Sequence, residues 1–164
     1  MAENRTALFS RKQSGGFYIV DDLAQHPGAI WFVDSGHAAA SDAAGFGRTP
    51  DAPFATIDYA VGKCTASQGD VIYVMPGHAE TVSAAAGLAL DVIGISVIGL
   101  GNGGLQPTVT LDTANTADVD VDAANVTVEN IHFIANFADI AAMIDVNADD
   151  FTLRNCRFTQ AGAD

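Results

Sequence analysis

A chain of 164 residues with 7 Lys and Arg against 20 Asp and Glu carries a formal charge of −13, and 49% of its residues are hydrophobic. That length makes a single domain able to bury a sizeable core, and so acidic a surface repels phosphate backbones, which argues against nucleic acid as a partner. No apolar run is long enough to cross a membrane, and two distant cysteines, Cys64 and Cys156, give no disulfide framework.

In chain order, residues 1–16 are polar and include Arg5, Arg11 and Lys12, with no apolar stretch behind them, so they read as an unpacked arm and not as a secretion signal. Leu8, Phe9, Phe17 and Tyr18 are the apolar positions with which such an arm could attach to a neighbour. Two short apolar segments, 16–20 and 29–33, are strand-like and complete an N-terminal unit of residues 1–33. A loop of small residues over 34–53 leads to Phe54, Ile57 and Val61, which share one face of a short amphipathic helix with Thr56 or Pro53 near its start. Placed across the first layer of strands, that helix would cover edges that otherwise pair with other chains.

From there to Asp164 the chain repeats. Leu88-Ala89-Leu90, Val119-Asp120-Val121 and Ile144-Asp145-Val146 open three copies offset by 31 residues (88 to 119) and 25 residues (119 to 144). Apolar residues recur at every second position within each copy, which is strand periodicity. The count turns Val119, Val121, Val126, Val128, Ile131 and Phe133 inward and Asp120, Asp122, Thr127, Glu129 and His132 outward. Copies stacked about 4.8 Å apart align Leu90/Val121/Val146, Ile95/Val126/Phe151, Val97/Val128/Leu153 and Leu100/Ile131/Cys156 as inward apolar columns. A polar column, Gly99/Asn130/Asn155, follows directly after a strand; Asn tolerates left-handed backbone there, and stacked amides can bond one another as a structural ladder. An earlier copy begins at Asp70, with Ile72 and Val74 expected above Ile95 and Val97. The spacing lacks the L-x-x-L-x-L-x-x-N pattern of a leucine-rich repeat, and the period specifies an all-β solenoid, a parallel β-helix of about four coils in residues 34–164.

Residues 31–82 carry Asp34-Ser35-Gly36, Asp42, Gly45-Phe46-Gly47, Pro53-Phe54-Ala55-Thr56-Ile57, Ala60 and the run Gly69-Asp70-Val71-Ile72-Tyr73-Val74-Met75-Pro76-Gly77-His78-Ala79-Glu80-Thr81. This pattern resembles the N-terminal opening of pectate-lyase-like right-handed β-helix proteins, in particular those of tailed bacteriophages and prophages. The resemblance covers about a third of the chain and implies a right-handed, single-stranded parallel β-helix. It also implies a virion role as tailspike, fibre, adhesin or capsid-surface protein, or a polysaccharide lyase or hydrolase activity.

The residues offer little to an enzyme. Asp118, Asp120, Asp122 and Glu129 match four ligand positions of a calcium loop, but Ala123 stands where that loop needs Gly, and on a strand the three Asp spread about 6.8 Å apart. A calcium ion held weakly between Asp120 and Asp145 of stacked copies is the other metal reading. Asp122, Asp149 and Asp150 are not placed by the sequence across a cleft as hydrolysis requires. Arg154 is expected beneath Glu129 as an ion pair and Arg157 beneath His132, which leaves no base for lyase chemistry. His26, His37, His78 and His132 lack metal-ligand spacing; Ser35-Gly36-His37 and 94–99 form no nucleophile elbow; Gly45-Phe46-Gly47 has no following helix start. Both cysteines read as small core hydrophobes. The expectation is therefore a non-enzymatic virion protein without cofactor or metal, assembled in the host cytoplasm and displayed as capsid decoration or cement. A tail fibre or tailspike binding host carbohydrate is the alternative, and a polysaccharide-degrading enzyme the third. Its partners would be other virion proteins, reached through the N-terminal arm, and further copies of itself as a homotrimer covering the last coil.

Overall fold

The computed structural model describes residues 9–13, 16–20 and 28–161. The fold is built almost wholly of strands. β1 (Phe9–Gln13) and β2 (Gly16–Val20) form an antiparallel pair with Phe9 opposite Val20 and Lys12 opposite Phe17. The stretch expected to be an unpacked arm is thus paired backbone where it is described. Phe9, Phe17 and Tyr18 lie on these strands, and Leu8 lies outside the described residues.

The remaining strands are β3 (Ile30–Val33), β4 (Val71–Val74), β5 (Ala79–Val82), β6 (Leu88–Leu90), β7 (Ser96–Gly99), β8 (Thr108–Leu111), β9 (Val119–Val121), β10 (Thr127–Glu129), β11 (His132–Ala135), β12 (Ile144–Val146), β13 (Thr152–Arg154) and β14 (Arg157–Gln160). They make three parallel sheets in the orders β3-β4-β7-β10-β13, β5-β8-β11-β14 and β6-β9-β12. From β4 onward the chain visits the three sheets in rotation, so each strand pairs with the one three places later. The offset is 31 residues from Ser96 to Thr127 but 24 from Thr108 to His132. The extra length therefore sits between β7 and β8, in the Gly-rich excursion that contains a 3-10 turn at Gly103–Leu105.

One apolar core is shared by all three sheets. Val97 and Val128 from the first, Val109 and Phe133 from the second and Leu90 and Val121 from the third are each at most 3% exposed. Burying such side chains stabilises by about 1.5–3 kcal/mol apiece relative to leaving them in water. A gap of about 10 Å³ in this core is lined only by apolar side chains and offers a water no hydrogen-bond partner. The alternation read from the sequence holds, since Asp120, Thr127, Glu129 and His132 are partly buried on the other side and Asp122 is exposed. A second apolar group, Ile30, Phe32, Val71, Tyr73 and Met75, is buried on the opposite face of β3 and β4.

Two expected registers differ. Ile72 pairs with Val97 and Val74 with Gly99, two residues on from the expected alignment. A slip of two preserves which face each side chain takes, so the hydrophobic pattern cannot detect it. Leu100 packs against the second apolar group and not the shared core. The cause is backbone: Asn130 (φ 56) and Asn155 (φ 50) are left-handed and turn the chain, whereas Gly99 ends strand β7 and lets the alternation run on. Gly99 cannot be a third Asn, because a Cβ there would lie 2.3 Å from the Asn130 carbonyl oxygen.

Helix α1 (Ile57–Val61) starts at Thr56, whose Oγ1 accepts from the Tyr59 N–H. Ile57, Ala60 and Val61 are buried, and the helix packs on β3, β4 and β6. It covers the N-terminal end of the sheets, the position expected of it.

Candidate functional site

The residues at that covered end look at first like chemistry. His78 has a fully buried side chain, its Nδ1 accepts from the Ser35 backbone N–H (3.0 Å), and its Nε2 lies 3.2 Å from Glu80 Oε2. Because Nδ1 accepts, the ring proton sits on Nε2 and is donated to Glu80. Ser, His and Glu are the types of a nucleophilic triad, but there the base must face the hydroxyl. Here Ser35 Oγ donates to the Ala79 carbonyl (2.9 Å) and accepts from the Ala79 N–H (3.0 Å), so it stands in for a neighbouring strand along the edge of β5. Glu80 Oε2 also accepts from the Ile57 N–H, fastening the start of α1.

The other polar residues of this end act likewise on backbone. Asp42 Oδ1 accepts from the Ala55 and Thr56 N–H groups and Oδ2 from the Thr56 hydroxyl. Asp70, 2% exposed, accepts from Ala29 (2.6 Å) and Thr65 (2.7 Å). Asp58 Oδ1 accepts from the Ala89 N–H at the edge of β6. Along β3, Phe32 donates to the Gly47 carbonyl and accepts from the Phe54 N–H. Gly47 (φ +77) is required there, since a Cβ would meet the Phe54 ring at 2.2 Å. Each of the three sheets is therefore met at this end by side chains or loop backbone. Cys64, behind α1, has its thiol pushed up to about 12, first by burial and then by Asp70, which makes it an unreactive core group.

The acidic flank shows no cage for an ion. Asp120 and Asp145 are register partners on β9 and β12, and Asn147 Nδ2 reaches Asp120 Oδ1 (3.0 Å) and Asp122 Oδ1 (3.3 Å). Among the described residues no group of three or more His, Cys, Asp or Glu is arranged to hold a metal ion. Burial first, and then Asp122, Asp118 and Asp145, raise the Asp120 pKa, while the Asn147 bond works the other way. Asp150 (φ 57), equivalent to Asn125 (φ 58) and Gly94 (φ 77), occupies a left-handed turn, which explains its residue type without catalysis. This turn column was missed in the sequence, although Gly, Asn and Asp at one repeat position are its signal. Glu129 and Arg154 are register partners as expected, yet no ion pair joins them; among the described residues the only contact within salt-bridge distance is His78–Glu80. His132 pairs in register with Arg157 and sets Nε2 2.7 Å from Thr159 Oγ1; burial first, then Arg157, lowers its pKa.

Asn130 and Asn155 lie one above the other, with Asn155 Nδ2 3.1 Å from Asn130 Oδ1. Asn130 Nδ2 donates to the Gly99 and Gly101 carbonyls (2.9 Å each), and Gln106 Nε2 donates to its Oδ1 at 3.3 Å.

The opposite end of the sheets is different. No described strand pairs with the far side of β12, β13 or β14. Val146, Leu153 and Phe158 continue buried columns in register, yet are 46%, 41% and 46% exposed. Phe158 stacks beneath Phe133 (5.3 Å, 17°) and, with Phe137, Asp139, Met143 and Gln160, lines a groove of about 470 Å³. Among the described residues, this groove and the exposed apolar side chains beside it are the candidate interaction site.

Comparison with protein-family models, with curated proteins and with solved structures finds no match to this chain.

Proposed function

We propose that the three sheets are the walls of a right-handed parallel β-helix, and that the protein is a structural component of a bacteriophage particle, displayed on the capsid as a decoration or cement protein. The rotation of the chain through three parallel sheets around one core supports the first part, and parallel crossovers are right-handed in about 98% of cases. The observation that carries the second is the contrast between the two ends. Beside α1, side chains bond to the edges of β5 and β6, while at the other side of the sheets the described residues leave Val146, Leu153 and Phe158 of the apolar columns exposed. Such a surface is suited to being completed by another polypeptide. In this reading the last coil is covered by further copies in a homotrimer, and the N-terminal segment with Leu8, Phe9, Phe17 and Tyr18 attaches to other virion proteins. The protein is not an enzyme in this reading and needs no cofactor.

A tail-fibre adhesin for host carbohydrate is the second reading, favoured by Phe137 and Phe158 beside polar Asp139 and Gln160 in the open groove. Purified intact particles decide. The polypeptide is expected at a fixed number of copies per major shell subunit. Its absence from particles, or its confinement to tails, overturns the capsid placement.

A further inference from the structure

Between residues 28 and 153 the only Lys or Arg side chains are Arg48 and Lys63. Both line one pocket of about 280 Å³ between the 43–45 loop and the covered N-terminal end, walled by Trp31, Phe46 and Phe54. The Arg48 guanidinium carbon lies 3.7 Å from the Trp31 ring centroid, and Lys63 Nζ 4.3 Å from that of Tyr59. Trp31, Phe54 and Tyr59 form a continuous aromatic row, with centroids 5.4 and 5.0 Å apart, holding one cation at each end. Trp31 is 6% exposed, and among the described residues its indole Nε1–H has no hydrogen-bond partner. A buried donor left so is destabilising unless an acceptor meets it.

Every polar side-chain group of this pocket is an N–H donor, and no carboxylate lines it, in a chain of net charge −13. Neither cation makes an ion pair among the described residues. A site of donors with aromatic walls is complementary to an acceptor anion that carries an apolar body. The forked guanidinium favours a planar carboxylate over a point charge. The volume admits one small acid or one side chain and not a chain of sugars.

We propose that this pocket binds a single carboxylate on an apolar or aromatic body, presented either as a free small acid or by an acidic residue of another polypeptide. The site is independent of the particle assignment, since it lies away from the open end.

Trp31 is the only tryptophan, so the full-length protein gives one indole N–H resonance that reports the site directly. Titration with sodium benzoate is expected to move that resonance saturably, whereas the uncharged isostere benzamide leaves it in place. A capped dipeptide of glutamate and phenylalanine tests the polypeptide source, and whichever of the two acids binds more tightly identifies it. Arg48→Gln with Lys63→Gln is expected to weaken benzoate by at least about tenfold, with the rest of the amide spectrum unchanged; Lys63→Gln alone serves if the pair disturbs folding. Equal shifts from benzoate and benzamide, unchanged affinity in the variant, or inorganic phosphate binding as tightly as benzoate would each overturn the proposal.

Discussion

Asn130 uses both donors and both acceptor positions of its amide, bonding the turn above it through Gly99, Gly101 and Gln106 and the turn below through Asn155. Its left-handed backbone adds a reason for Asn that no aliphatic residue meets. Asn130→Ala is expected to cost about 2–3 kcal/mol and to lower Tm by roughly 5–10 °C by calorimetry. Asp120 shows the opposite balance. Its folded pKa lies above its unfolded value, so its contribution to stability is present below the unfolded pKa and lost as pH rises through the folded one. Asp120→Asn keeps an acceptor for Asn147 and removes a charge facing Asp145, so a gain of about 0.5 kcal/mol is expected at pH 7. That is roughly 1–2 °C in Tm, and it should vanish below about pH 4, where both states carry protonated acids. A gain that grows on acidification would contradict this account.

At the scale of elements, polar side chains around helix α1 bond to strand edges and to the start of the helix. Ser35 completes β5, Asp58 completes β6, and Asp42 ties the loop to the start of α1. Asp42→Ala removes the carboxylate that accepts from three donors and is expected to cost about 1–2 kcal/mol. It should appear as a lower urea midpoint, with faster hydrogen exchange concentrated at Ala55 and Thr56; uniform acceleration across all three sheets would count against a local role. The alternation of inward and outward residues was legible because it is local and each strand has a buried face. The β4–β7 register was not, because a shift of two residues leaves that alternation intact and only the backbone ladder distinguishes the alternatives. Leu100 was misplaced for a related reason: the repeat aligned Gly99 with two asparagines, but extended and left-handed backbone send the next residue to opposite faces.

For the whole molecule, the two ends set the behaviour. In the proposed reading, the edges bonded by Ser35 and Asp58 resist added strands, so association involves the exposed Val146, Leu153 and Phe158 or the flanks. The wild-type protein is expected to be a homotrimer by light scattering, and Leu153→Glu with Phe158→Glu to be monomeric, since charges would sit where the apolar columns end. A wild type that stays monomeric at high concentration refutes the covered end.

By itself the sequence determined the stacked β-repeat, the row of aliphatic side chains and the position of the short helix, because these follow from periodicities of two and about twenty-five residues along the chain. Only the tertiary structure decided which strand lies over which and where Leu100 points. It alone showed that Ser35, His78 and Glu80 bond the edge of β5 and the start of α1, and that Arg48 and Lys63 meet at one aromatic pocket. Those facts join residues 15 to 45 positions apart, and a linear pattern carries the face of a residue but not the atom it will meet.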